Sequence, residues 1–123
     1  MARVEISQNI GPDVITSVNE TVANGTDKYG PAVNVSKYTI HSYHVITDKD
    51  TTFTIAGSNV TDSSGGPSSD MTNDWVTIST HSISAGSPAT LAYSDVWNFK
   101  YAKVLVKPTS GDAAIKVYEK HNA

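Results

Sequence analysis

Residues 33–47, VNVSKYTIHSYHVIT, contain the longest alternation of apolar and polar side chains in the chain. The apolar positions fall into three phases: Val33 and Val35, then Tyr38 and Ile40, then Tyr43 and Val45. Successive side chains of a β-strand point to opposite faces, so a slip of one residue turns every following side chain over. The two changes of phase therefore predict either two strands or one strand with bulges.

Shorter segments with strand character lie on both sides of this stretch. They are residues 1–10, 13–23, 53–57, 75–83, 89–93, 97–106 and 113–119. In residues 13–23 the apolar spacing also fits a helical turn, which is the alternative there. In the last segment, Ile115 and Val117 are expected to point inward. Seven or eight short strands separated by turn residues predict an all-β fold, an antiparallel two-sheet β-sandwich of jelly-roll-like form.

The length of the chain, 123 residues and 13.1 kDa, suits a single domain. The turn pair Gly11-Pro12 separates residues 1–12, an expected N-terminal arm or short strand, from a sandwich domain over residues 13–123. Residues 58–73, SNVTDSSGGPSSDMTN, offer almost nothing to bury and are expected to form a long exposed loop.

Composition supports strands and removes several classes of function. Val, Ile and Thr number 13, 9 and 14, and branching at Cβ favours the pleated sheet. The absence of cysteine removes disulfides, thiolate zinc sites and thiol nucleophiles. With a net charge of −3 and a single arginine, Arg3, the chain lacks the basic cluster that nucleic acids require. No membrane span and no secretory signal are expected, and synthesis in a cytoplasm is the default.

Residues with catalytic or metal-binding chemistry are present, but their spacing does not group them. His41 and His44 lie three apart on a predicted strand and should point to opposite faces, so solvated strand histidines are expected and no metal site. Two clusters of aspartates, Asp48 with Asp50 and Asp62 with Asp70 and Asp74, suit turns more than calcium, because no EF-hand spacing is present. Neither a catalytic constellation nor a cofactor is expected. The lysines of the C-terminal strands, Lys103 among them, are expected to keep strand surfaces soluble and edges unpaired.

The aromatic side chains divide into core candidates and contact candidates. Phe53, Trp75, Phe99 and Tyr101 are expected in the core or at its rim. Trp97 follows a loop, and Tyr118 shares its strand face with Lys116 and Lys120. Amphipathic rings are enriched at interfaces, so Trp97 and Tyr118 are the candidates for exposed contacts.

The second half of the chain resembles small β-sandwich proteins of tailed-bacteriophage virions, including head decoration or cement proteins. The similarity spans about residues 45–120 and is carried by FTIAGSN at 53–59, DWVTI at 74–78 and WNFKYAKVLV at 97–106. This resemblance implies a non-enzymatic virion structural protein, assembled in the host cytoplasm. It would bind the outer surface of a major capsid protein, or another virion protein, as a homo-oligomeric trimer or dimer.

In such an assembly the N-terminal segment, through Val4 and Ile6, would add a strand to a neighbouring molecule. The alternative is a carbohydrate-binding or receptor-binding module of a phage tail, in which a glycan stacks on Trp97 or Tyr118. Neither reading involves nucleic acid or a membrane.

Overall fold

Two antiparallel sheets packed face to face make up residues 14–69, 73–94 and 97–122, which are the residues that the computed structural model describes. Across sheet A the strands are β1 (Ile15–Val22), β9 (Ala113–Asn122), β4 (Ile40–Thr47) and β7 (Ala89–Tyr93). Across sheet B they are β2 (Lys28–Tyr29), β8 (Tyr101–Pro108), β5 (Thr51–Ser58) and β6 (Val76–Ile83), with β3 (Val33–Asn34) also paired to β8. The predicted all-β sandwich is confirmed, and residues 15–22 form a strand.

The order of the strands is that of a jelly roll. The first strand lies beside the last, β2 lies beside β8, and the chain passes repeatedly from one sheet to the other. A jelly roll has eight strands in two Greek keys. The ninth strand arises here because Gly30-Pro31-Ala32 separates β2 from β3, and proline cannot donate to a sheet ladder. Counting β2 and β3 as one interrupted strand gives the predicted number.

The phase changes in residues 33–47 mark a crossing between sheets. β3 belongs to sheet B and β4 to sheet A, so of the two predicted alternatives the one with two strands is correct. Within β4 the odd-numbered side chains His41, Tyr43, Val45 and Thr47 are buried, whereas Ile40 is exposed.

The main core fills the space between the inner faces of the two sheets. Its fully buried members are Val18, Val22, Tyr43, Val45, Phe53, Ile55, Ile83, Val104, Val106, Ala113, Ile115 and Val117. Ile115 and Val117 point inward as predicted. Cross-strand neighbours on one face pack against each other, and Phe53 opposite Val106 and Ile55 opposite Val104 are examples.

Two β-bulges interrupt the ladders. In β1 the register shifts between Thr16 and Val18, so Ser17 is an extra residue and is buried together with Val18. In β6 the register shifts opposite the Ile55–Ala56 step, which leaves Ile78 as the extra residue. A bulge re-aims a side chain, and Ser17 thereby faces the interior.

Among its described residues, the segment between β5 and β6 is largely exposed, as predicted for residues 58–73, with two exceptions. Ser58 ends β5, and Ser68 is buried. Trp75 donates its Nε1 proton to the carbonyl oxygen of Ser68 at 2.8 Å and packs with Tyr101 and Ala56. Trp75, Tyr101 and Ala56 lie on the outer face of sheet B and form a second, smaller core there, to which Ser68 is joined by this hydrogen bond.

Candidate interaction surfaces

The outer face of sheet A is a four-strand surface with Tyr118 near its centre. Tyr118 is half-buried, and Lys116 and Lys120 are exposed on either side of it, as the alternation in the sequence predicted. His44 is the cross-strand partner of Tyr118, and their ring centroids are 6.1 Å apart. Two neighbouring rings flanked by two ammonium groups form a surface suited to polar and aromatic contacts.

Two shallow depressions lie on this face. One, of about 320 Å³, is lined by Val14, Ser42, His44, Thr90, Tyr118 and Lys120, among others. The second, of about 500 Å³, lies around Asn19, Ile46, Ala114 and Lys116. Both are open, so they suit the surface of a partner or a sugar ring better than an enclosed small molecule.

Trp97 has a structural contact inside the chain. Its ring stacks on the imidazole of His41, with centroids 3.7 Å apart and planes 7° from parallel, and it packs against the main core. The Trp97 side chain thus helps to close one end of the sandwich. The contact role of Trp97 stays a prediction, as does that of Val4 and Ile6, which lie outside the described residues together with the arm at 1–12.

A buried polar network occupies the same end of the sandwich, and the sequence did not predict it. His41 and His121 are both fully buried, and their Nδ1 atoms lie 2.8 Å apart. Nε2 of His121 lies 2.7 Å from Oε1 of Glu119, and the hydroxyl of Ser17 donates to Oε2 of the same carboxylate. The expectation of a solvated strand histidine is therefore wrong for His41, although His44 is exposed and on the opposite face, as predicted.

The network satisfies most of the polar atoms that it buries. A carboxylate only accepts hydrogen bonds, so Glu119 takes one on each oxygen, from Ser17 and from His121. The short contact between the two imidazoles requires one Nδ1 to donate and the other to accept. One proton therefore lies between the two Nδ1 atoms. The bulge in β1 brings Ser17 to this position, which links the irregular strand to the network.

Tyr43 lies beside this network and has a different environment. Its hydroxyl is buried without a hydrogen-bond partner. Burial, followed by the negative charge of Glu119, raises the pKa of the Tyr43 phenol well above its ordinary value near 10. The side chain is held by ring contacts, with the centroid of Phe53 at 5.7 Å and that of His121 at 5.8 Å.

Lys103 is buried on the outer face of sheet B, which corrects the expectation that it solubilises a strand. Its Nζ atom lies 4.3 Å from the ring centroid of Trp75 and 5.0 Å from that of Tyr29. Burial lowers the pKa of the Lys103 amine. A cation between two aromatic faces is attracted by their quadrupoles, so this contact contributes to holding Trp75 and Tyr29 on the sheet.

Three of the clustered aspartates accept hydrogen bonds in loops, and Asp70 lies outside the described residues. Oδ1 of Asp48 accepts from the backbone N–H of Ala114 at 2.8 Å, and Oδ1 of Asp50 accepts from that of Ala85 at 2.9 Å. Asp62 accepts from the hydroxyl and the backbone N–H of Ser64, and these bonds lower its pKa. Within the described residues, no group of three or more His, Asp or Glu side chains is arranged to hold a metal ion.

The two packed sheets and the order of their strands define a jelly-roll β-sandwich. The fold is similar to that in the crystal structure of the PBSX exported protein XepA, with a TM-score of 0.71 and 13% sequence identity. The match covers 98% of this chain and 40% of XepA, so the chain spans less than half of that protein's length. At 13% sequence identity, this similarity shows a shared fold and no more.

A scan against protein-family models gives no match, and a comparison with curated proteins gives none. Among the residues described, no helix is long and apolar enough to cross a membrane.

Proposed function

We propose that this chain is a non-enzymatic structural component of a phage particle that binds another virion protein through the outer face of sheet A. The observation that carries the proposal is the jelly-roll fold shared over 98% of the chain with XepA, a phage-related protein. The sequence resemblance to phage virion sandwiches supports the same role independently. The finer role is that of a decoration protein, bound as a homo-oligomer to the outer surface of the capsid.

The outer face of sheet A supplies a chemically reasonable contact. Tyr118 and His44 provide aromatic surface, and Lys116 and Lys120 provide positive charge at its border. Tyrosine is enriched at interfaces, and charges at the rim guide association with an acidic partner surface.

Cosedimentation with purified heads and purified tails of the phage that encodes the chain tests this role. We expect binding to heads, reduced at least about tenfold by Tyr118→Ala combined with Lys120→Glu. Tyr29→Ala is the matched control, because Tyr29 is an exposed tyrosine on sheet B. Binding to neither heads nor tails, or binding that both variants leave intact, would contradict the proposal.

The Tyr118–His44 ring pair above an open depression favours a second candidate, a carbohydrate-binding or receptor-binding module of a phage tail. A sugar ring would stack on Tyr118 from solvent. A glycan array separates the two candidates, because a decoration protein gives no signal while a sugar-binding module gives hits that Tyr118→Ala removes. Association with tails instead of heads would support this second candidate.

A further inference from the structure

One side of the sandwich is formed by the outermost strands of both sheets. β6 is the last strand of sheet B and pairs with β5, and β7 is the last strand of sheet A and pairs with β4. Within residues 14–69, 73–94 and 97–122, no strand pairs with the other side of either. The backbone N–H and C=O groups on that side are therefore available to another chain.

Strands β6 and β7 and the turn between them carry no charged side chain. Residues 75–94, WVTISTHSISAGSPATLAYS, contain no Asp, Glu, Lys or Arg, although 21 of the 123 residues in the chain are of these types. The exposed side chains of β6 are Val76, Thr77, Thr80 and Ser82, all neutral and most of them β-branched. Such composition favours strand pairing and offers no like-charge repulsion to a copy of itself.

The opposite side of the sandwich shows the usual protection of strand edges. β1 carries the bulge at Ser17 and an ion pair between Glu20 and Lys28 at 3.0 Å. β2 and β3 have two residues each and are separated by a segment containing Pro31. Bulges, charges, proline and short strands all prevent another chain from pairing. Open backbone groups and neutral side chains thus coincide on the β6–β7 side.

The two neutral strands are tied together as one surface. The hydroxyl of Tyr93 in β7 lies 2.7 Å from Nε2 of His81 and 2.9 Å from Oγ of Ser79, both in β6. The bulge at Ile78 leaves residues 79–83 of β6 in regular register with β5. Each sheet therefore has a regular five-residue segment at this edge, Ala89–Tyr93 in β7 and 79–83 in β6. The hydrogen bonds of Tyr93 hold the two segments next to each other.

We infer that the β6–β7 side is the surface through which this chain pairs with a second copy of itself. A two-fold axis along the sheet normal places β6 antiparallel to its copy and β7 antiparallel to its copy, so both sheets continue into the partner. This inference gives a location to the homo-oligomer of the proposed function and rests on that function only for the expectation of self-association. A dimer without affinity for phage heads would contradict the virion role and leave the inference intact.

Light scattering after size-exclusion chromatography over a range of concentrations tests the inference. We expect a species with twice the 13.1 kDa mass of the chain. Thr80→Lys with Ser82→Lys should raise the dimer dissociation constant at least about tenfold, because like charges then face each other across the pairing. Asn19→Lys with Thr21→Lys adds the same charge to exposed positions of β1 and should leave the dimer unchanged.

Hydrogen exchange provides a second readout that does not depend on the variants. Those backbone amides of residues 79–83 and 89–93 that point away from β5 and β4 should gain protection as the wild-type concentration rises. A monomer at every concentration overturns the inference, and so does a dimer that the β1 variant disrupts and the β6 variant does not. Protection of these amides in a monomer would show that another part of the same chain covers the side, and would overturn it as well.

Discussion

At the scale of single residues, Tyr43 has a buried hydroxyl with no hydrogen-bond partner. A buried polar atom left unpaired costs about 1–3 kcal/mol. Tyr43→Phe removes that atom and keeps the ring contacts, so we expect the variant to be more stable by about 1 kcal/mol. Urea denaturation at neutral pH measures the difference, with Tyr118→Phe on the outer face as a control expected to change little.

The same residue predicts how stability depends on alkaline pH. Because the pKa of Tyr43 is raised in the folded protein, the unfolded chain loses this proton first, at pH values above about 10. The free energy of unfolding is therefore unaffected by this ionisation below that pH. Above it, the free energy of unfolding declines by up to about 1.4 kcal/mol per pH unit. In Tyr43→Phe this part of the decline should disappear. A wild type and variant with the same alkaline slope would contradict the prediction.

The buried network gives a second prediction at this scale. Glu119→Ala leaves two buried donors, Ser17 and His121, without their acceptor, at a cost of about 1–3 kcal/mol for each donor. Glu119→Gln keeps an acceptor oxygen and should cost less. Glu20→Ala removes a surface carboxylate paired with Lys28 and is the matched control, with an expected loss of about 0–1 kcal/mol. Equal losses for Glu119→Ala and Glu20→Ala would show that the network contributes little.

The sequence predicted which strand faces these residues occupy and not how they are paired. The alternation placed His41 and His44 on opposite faces, which is correct, but periodicity cannot say which face is buried when both carry polar residues. His41 and His121 lie 80 positions apart and meet because β9 inserts beside β4. The spacing of residues in the sequence does not indicate this contact. In β9 the buried face that begins with apolar residues continues in the same phase into Glu119 and His121. That continuation is the signal that could have indicated a buried polar pair.

At the scale of the strands, β5 depends on a close approach between Gly57 and Phe99. A Cβ atom at position 57 would lie 2.5 Å from Cδ2 of Phe99 and 3.1 Å from Cδ1 of Ile78. Gly57→Ala therefore forces the aromatic ring or the strand to move, and overpacking of this kind costs about 1–3 kcal/mol. Thermal or urea denaturation measures the loss.

Gly66→Ala is the control for this prediction, because the nearest atom to a Cβ at position 66 is 3.8 Å away. We expect that variant to remain within about 0.5 kcal/mol of wild type. Equal stability of Gly57→Ala and Gly66→Ala would mean that Phe99 does not pack against the backbone of β5 as described.

The strands themselves were largely predictable, because alternation and turn residues are local signals. Residues 89–93 form β7 as predicted, and residues 113–119 form most of β9, which continues to Asn122. The burial of Ser68 within the otherwise exposed segment 58–73 was not predictable. The carbonyl oxygen of Ser68 accepts the Nε1 proton of Trp75, and the local sequence does not reveal that contact.

At the scale of the whole molecule, the jelly roll is built from contacts between distant parts of the chain. β1 pairs with β9, and β2 and β3 pair with β8, so both ends of the described chain must meet before either sheet is complete. Folds dominated by such non-local pairing fold in about milliseconds to seconds. We expect stopped-flow refolding by tryptophan fluorescence to fall in that range, and refolding within microseconds would contradict it.

The pairing of the first and last strands also decides where another polypeptide can be joined. Ile15 of β1 lies directly opposite Glu119 of β9, so the first and last strands run side by side with their backbones about 5 Å apart. A short peptide suffices to bridge them. New ends opened at the exposed Ser84–Ser87 turn would then give a circularly permuted chain with the same two layers, and the unpermuted domain can be inserted into a surface loop of a host protein without separating that loop's ends.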